Sequence, residues 1–430
     1  MLQILRLEKN NYFIFLFWIV VGAISSQLAY LVIPVHILIM KKKYNWIWII
    51  LGFWFILTLS DSRQGVFRFA QGAKMFVLLA ISYLFVTTPK EYGWQKMVTP
   101  FIPFLLVAFG SLIGSPQPFY GFQKTFSYLL LLLVIPGLIQ MIIRNERDRF
   151  LYNLILIGTI ILASGVALRF IRPSFVIFGG ERFSGILGNP NGLGIYAFLF
   201  SVLFTIINHY HKGLFRRVEV WFIYGVIAMS LFLCGSRGGI FSTALFFIAW
   251  FLFKQNLVLG FVAMTIIFTS YQLVMANFVE IVTYLNIQDF FRLETLETGS
   301  GRTVVAEIAW KHIHENYWFS KGFTYSEYIL SQYRDYFVAS DHQGNIHNSW
   351  LTIWFDTGLV GLILFSIGWL TNIFRASMKS PFIWALFFGL LLSISVESWL
   401  IASLNPFTIQ LIIIITLLSD DNFYRKAGVK

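Results

Sequence analysis

Cysteine is nearly absent: Cys234 stands alone among 430 residues. No intramolecular disulfide framework and no Cys-rich metal motif is therefore available. Charge is scarce too. Only 12% of the residues are Asp, Glu, Lys or Arg, against about 25% in an ordinary soluble domain. Also missing are an Asp-x-Asp pair for a metal–nucleotide-sugar complex, a P-loop and a dinucleotide fingerprint. Chemistry on this chain would thus run without ATP or a nucleotide sugar. What is abundant is apolar: 57% of residues, with 47 Phe, 19 Tyr and 14 Trp. One water-soluble core cannot hide so much apolar surface, and a disordered chain needs the opposite composition. A soluble enzyme and a disordered segment are excluded. A polytopic membrane protein remains.

A helix crossing about 30 Å of hydrocarbon needs roughly 20 residues. Apolar runs fall near 12–24, 27–40, 44–60, 70–87, 98–113, 124–143, 151–171, 190–208, 220–235, 238–253, 257–276, 347–370, 382–400 and 406–419. The expected fold is an all-α polytopic membrane protein with about 12–14 transmembrane helices and one large external loop containing short helices. Ser25-Ser26 and Pro34 favour a hairpin rather than one long helix over 12–40. Hydrophobic sequence resumes directly after Ser26, so a cleaved signal peptide is not expected. Three segments follow: N-terminal transmembrane helices over 1–276, an extracytoplasmic loop over 277–346, and C-terminal helices with a short cytoplasmic tail over 347–430. The net charge of +12 suits membrane topology better than nucleic acid, and no nucleic-acid partner is expected. Of the 32 Lys and Arg, 19 fall in segments that are cytoplasmic when the N-terminus is inside. The remainder, rich in Arg, lie on the outer side. Arg forms forked hydrogen bonds to phosphate and carboxylate, so that excess points to an anionic ligand.

Five segments carry candidate chemistry. The first runs from Glu181-Arg182 through Gly185 to Asn189-Pro190-Asn191-Gly192, with Arg172 and Arg169 nearby. Its turn residues precede a helix whose first N–H groups, near Asn191 to Leu193, are candidates to face an anion. The second, Cys234-Gly235-Ser236-Arg237-Gly238-Gly239, interrupts an apolar stretch too long for one span and leaves Arg237 at the membrane edge. Ser236 lacks the context of a serine protease. The third is Gly299-Ser300-Gly301-Arg302, ahead of an amphipathic run to Trp310 and Trp318. The fourth, Asp341 to Trp350, contains His347-Asn348 where the loop re-enters the membrane, followed by Asp356, Gly358 and Gly361. Histidine exchanges protons near neutral pH. His312, His314, His342 and His347 are close in sequence but lack the i,i+4 spacing of a zinc pair, so no metal is assigned. The fifth is Glu397 within an apolar run, where a carboxylate needs an Arg partner or a polar cavity. The Tyr and Trp residues of the loop suit an interface belt or a sugar-stacking surface.

In their order, Arg182…Gly185…Asn189-Pro190-Asn191, Ser236-Arg237-Gly238, Gly301-Arg302-Thr303 with Trp310, His347-Asn348, Gly358 and Gly361, and Glu397 resemble the O-antigen ligase and O-antigen polymerase superfamily. The resemblance covers roughly residues 60–420. It implies an enzyme of the bacterial inner membrane with an extracytoplasmic active face. Its donor is a glycan linked to undecaprenyl diphosphate, and no cofactor is needed. The acceptor is another lipid-linked glycan in polymerases, and lipid A core or a protein in ligases. Membrane lipids and a chain-length regulator are further implied partners. By resemblance, Arg182 and Arg237 bind the diphosphate and His347 acts on the acceptor hydroxyl. Arg172, Arg302, Asn189, Asn191, Asn348 and Glu397 are supporting candidates. The Glu that many relatives place before the Gly-x-x-Gly pair is Asp356 here, so it receives no role. Polymerase is preferred over ligase because nothing in the chain marks lipid A as acceptor. A lipid-linked oligosaccharide transporter would carry charges along mid-membrane helices, whereas these gather at the outer edge. An inactive structural member of an envelope assembly is the third class.

Overall fold

The computed structural model describes residues 2–40, 46–88, 95–179, 182–284, 302–339 and 344–425. The protein is an all-α polytopic membrane protein. The long helices are α1 (Leu2–Ile24), α2 (Ser26–Met40), α3 (Trp46–Ser60), α4 (Arg68–Val86), α5 (Ile102–Gly110) and α6 (Pro118–Ile171). After them come α7 (Pro190–Tyr210), α8 (Arg217–Cys234), α9 (Arg237–Gln255) and α10 (Leu257–Ala276). Shorter helices α11 (Phe278–Tyr284), α12 (Arg302–Glu315), α13 (Tyr325–Gln332) and α14 (Arg334–Ala339) occupy the loop. The chain closes with α15 (Ser349–Ser377), α16 (Ile383–Val396) and α17 (Pro406–Ser419). Strands β1 (Ile177–Phe178) and β2 (Arg182–Phe183) form the one strand pairing among the described residues.

Most boundaries are local in origin. The break between α1 and α2 falls at Ser25, as the hairpin reading expects, while Pro34 lies inside α2. The 54 residues of α6 are two helices meeting at Glu146, whose backbone is non-helical. Asn189, Asn348 and Asn405 each cap a helix start, their side-chain oxygens accepting N–H from Gly192, Leu351 and Thr408 at 2.7, 3.0 and 2.7 Å. Pro190 and Pro406 follow two of these caps, at the first helical position where no N–H is missed.

The chain packs as two compact units: Met1–Val98 with Ser127–Gly239 and Ser403–Lys430, and Thr99–Phe126 with Ile240–Ala402. The first unit is centred on α7, a helix apolar on all sides and buried along most of its length. Trp54 of α3 stacks on Tyr196 of α7 with ring planes 7° apart. The second unit is built around α15, where Phe101 and Phe104 pack on Trp369 and Phe365. The loop helices have a small core of their own, in which Val305, Ala309, Ile313 and Ile329 meet Phe355 of α15. Residues 285–301, which include Arg292 and the Gly299-Ser300-Gly301 motif, lie outside the described residues, as do Glu181 and Asp341-His342-Gln343.

Helix α15 is broken at Gly358, with φ 77° and ψ 174°. That backbone region is essentially reserved for glycine. A Cβ at this position would sit 2.4 Å from the Trp318 carbonyl oxygen. The break frees N–H groups that cannot be left bare in a membrane protein. Leu359 and Val360 donate theirs to the carbonyls of Tyr317 and Trp318 at 2.9 and 3.2 Å. The end of the loop thus completes the second half of α15.

Candidate functional site

In the first unit, two separate sequence motifs meet at Arg182. Register pairing of Phe178 with Arg182 places this residue at the start of β2. Its Nη2 donates to Asn191 Oδ1 at 3.4 Å and to the carbonyls of Cys234 and Gly235 at 3.3 and 3.5 Å. The Cys234–Gly239 motif is a helix stop followed by a helix start. Gly235 takes the left-handed conformation, φ 56°, that closes α8. Ser236 then caps α9, its Oγ accepting the Gly239 N–H at 3.3 Å. Ser236 has a structural task here. Arg237 is the first residue of α9 and is half-buried. Close approach of α7 to this turn needs glycine on both sides, since a Cβ on Gly239 would lie 2.6 Å from the Gly194 Cα.

The start of α7 is occupied by the protein's own groups. Gly192 N–H goes to Asn189 Oδ1 at 2.7 Å, and Leu193 N–H to the Asn189 carbonyl at 3.1 Å. Gly188 N–H donates to Asp61 Oδ2 at 3.3 Å. The N–H groups of Gly192 and Leu193, expected to face an anion, are committed internally. Asn189 is a cap, while Asn191 is the amide that meets Arg182. Burial pushes the Asp61 carboxyl up from the usual carboxylate range, against the opposing pull of the Gly188 N–H, Lys74 and Arg63. Lys74 also donates to the Leu404 carbonyl at 3.2 Å. The sequence reading missed Asp61 and Lys74. The available signal was a lone Lys inside the apolar run 70–87. Arg172 is exposed just past the end of α6 and lines an apolar groove.

In the second unit, His347 and Glu397 meet across 50 residues of sequence. His347 Nδ1 is 3.0 Å from Glu397 Oε2, and both side chains are largely shielded. The pair is held from three directions. Asn348 caps α15 directly after His347. Glu397 ends α16 in extended conformation, φ −146° and ψ 148°, so it occupies a break and not the middle of a span. Ser349 Oγ then donates to the Glu397 carbonyl at 2.8 Å. A neutral imidazole that donates Nδ1–H to a carboxylate keeps Nε2 as its basic atom. This second-unit pair is thereby suited to accept a proton.

Close by in the chain, Asp356 is fully buried. Its Oδ1 accepts the Ser326 N–H at 2.8 Å, and its carbonyl accepts the Gly322 N–H at 2.8 Å. Lys124 pairs with Glu327 at 2.9 Å, and electrostatics couple it to Asp356. These residues dock the loop onto the break in α15. Sequence reasoning assigned none of them a role, because their partners lie 30 to 203 residues away. Arg302 opens α12, but its side chain lies outside the described residues. His312 contacts Glu315 at 2.9 Å, and Trp310 packs edge-on against Trp354. Among the described residues, no three His, Cys, Asp or Glu side chains are grouped to hold a metal.

The fold and these two clusters define a polytopic helical membrane protein with an arginine-bearing turn and a histidine–carboxylate pair. Residues 222–366 match the family model described as O-antigen ligase, an interval that contains Arg237, Arg302, His347 and the Gly358 break. This match over about a third of the chain supports the resemblance to the O-antigen ligase and polymerase superfamily, a family of glycosyl-transferring membrane enzymes. No curated protein matches it.

Proposed function

We propose that the protein is a polymerase that joins oligosaccharide repeat units carried on undecaprenyl diphosphate into a surface polysaccharide, working on the extracytoplasmic side of the bacterial inner membrane. The observation that carries this reading is the hydrogen bond between His347 and Glu397 inside the family-matched region and its C-terminal flank. The acceptor hydroxyl attacks the anomeric carbon of the donor glycan. A C–O bond forms to the acceptor as the C–O bond to the diphosphate breaks. His347 Nε2 takes the hydroxyl proton, and Glu397 steadies the imidazolium that results. Undecaprenyl diphosphate leaves with the bonding pair, and Arg182 and Arg237 hold its growing negative charge. One direct displacement inverts the anomeric centre. The oxygens around Arg182 support this role: the carbonyls of Cys234 and Gly235 and the Asn191 amide orient the guanidinium.

Reconstitution in vesicles with a lipid-linked repeat unit tests the reading. Growth of a ladder of longer lipid-linked chains is expected. Transfer to added lipid A core with no chain growth would replace the polymerase by the ligase. No transfer to either acceptor by active-site-intact protein would remove the enzymatic reading.

A further inference from the structure

The first unit holds a groove of about 490 Å³ that the proposed reaction leaves unused. Its long wall is a stripe of α6, where Ile157, Ile160, Ile161, Ser164 and Leu168 recur at helical spacing. Phe15 of α1 and Phe55 of α3, stacked on each other, also line the groove. The stripe ends at Arg172, the one charged residue of this lining among the described residues. Ile186, from the same segment as Arg182, borders the groove.

From Ile157 to Arg172 the wall rises roughly 22 Å at 1.5 Å per residue. One leaflet of hydrocarbon is about half of the ~30 Å core. The wall is therefore long enough to span a single leaflet of about 15 Å with several ångström left for a headgroup, is mainly apolar, and ends on a cation. This is the negative of an amphiphile standing upright with an anionic head. A phosphodiester carries one negative charge, matched by one guanidinium. A diphosphate carries more and calls for more than one cation. We propose that this groove holds one acyl chain of an anionic phospholipid, with its phosphodiester on Arg172. The lipid would tie α1 to α6 beside the segment that carries Arg182. The proposal is independent of the reaction assigned above.

Native mass spectrometry of the full-length protein in mild detergent tests it, with phosphatidylglycerol and phosphatidylethanolamine titrated separately. Phosphatidylglycerol should bind about tenfold more tightly. Arg172→Gln should bring the two lipids to parity, and Ile160→Trp, which fills the groove, should weaken both. Arg172 is exposed, so R172Q keeps the test decisive even where I160W folds poorly. Equal binding of the two lipids by the wild type would overturn the proposal. So would an undiminished phosphatidylglycerol preference in R172Q, or displacement of that lipid by an equimolar polyprenyl phosphate.

Discussion

The arginine cluster of the first unit and the histidine cluster of the second are assembled from different kinds of partner. Arg182 donates to two backbone carbonyls and a side-chain amide oxygen. His347 is oriented by a carboxylate, whose own backbone is held by Ser349. The difference has a physical reading. Carbonyl and amide oxygens fix the plane and direction of a guanidinium, the group that forks to phosphate oxygens. A carboxylate beside an imidazole fixes the tautomer and stabilises the protonated ring. The first arrangement suits holding an anion, and the second suits moving a proton.

Variants can break this comparison. The largest effect is expected from His347→Ala, because a general base contributes about 10²- to 10⁴-fold. Chain extension in vesicles should fall by that factor. Retained activity would remove His347 from the reaction. Arg182→Ala and Arg237→Ala should each cost roughly 10²- to 10³-fold in transfer rate. Lys at either position should recover only part of it, since a point charge lacks the fork. Lys replacements as active as the wild type would show that charge alone matters in the arginine cluster. Glu397→Gln should lower the rate by roughly ten- to hundredfold, the range for groups that orient a working histidine. It should leave donor binding unchanged, which separates it from the arginine variants.

Two stability measurements sharpen the contrast. Gly358→Ala forces a side chain into a glycine-only backbone region and against the Trp318 carbonyl. A loss of about 1–3 kcal/mol is expected for the strain alone, read as a lower unfolding midpoint in detergent. The smallest effect belongs to the first unit. Burial and the nearby Arg147 push His211 down to about 4, against the pull of Asp148 and the Phe423 backbone. Its ring also packs edge-on against Phe423. The folded state therefore holds His211 neutral, while the unfolded chain protonates it near pH 6.5. Stability should be fully present above about pH 6.5 and decline as pH falls toward about 4. His211→Phe should flatten that decline, and an unchanged profile would rule His211 out as its cause.

Several features were legible because their causes are local. Asn-Pro pairs announce helix starts at 190 and 406, and Gly235-Ser236 announces a stop and a start. The short break at Ser25 was equally plain. The interruption of α6 at Glu146 likewise falls in the charged gap between the apolar runs 124–143 and 151–171. Of the N–H groups near Asn191 to Leu193 that were expected to face a ligand, two are taken by the local helix cap. Those groups are committed to Asn189 next door, and Gly188 before them to Asp61, 127 residues upstream. Nothing near Asp356 in sequence announced that it binds Ser326, or that Lys124 reaches Glu327.

The sequence by itself determined the class of protein, the placement of most apolar helices and the composite of motifs that resembles the superfamily. Those depend on hydrophobic run length, turn chemistry and residue order, which are properties of neighbours along the chain. Only the tertiary structure decided which motifs meet. Arg182 finds Asn191 and the end of α8, His347 finds Glu397, and the loop completes the broken α15. The reason is the cost of bare polar groups away from water. Each break in a membrane helix exposes donors or acceptors, and their partners are whichever groups packing brings within reach.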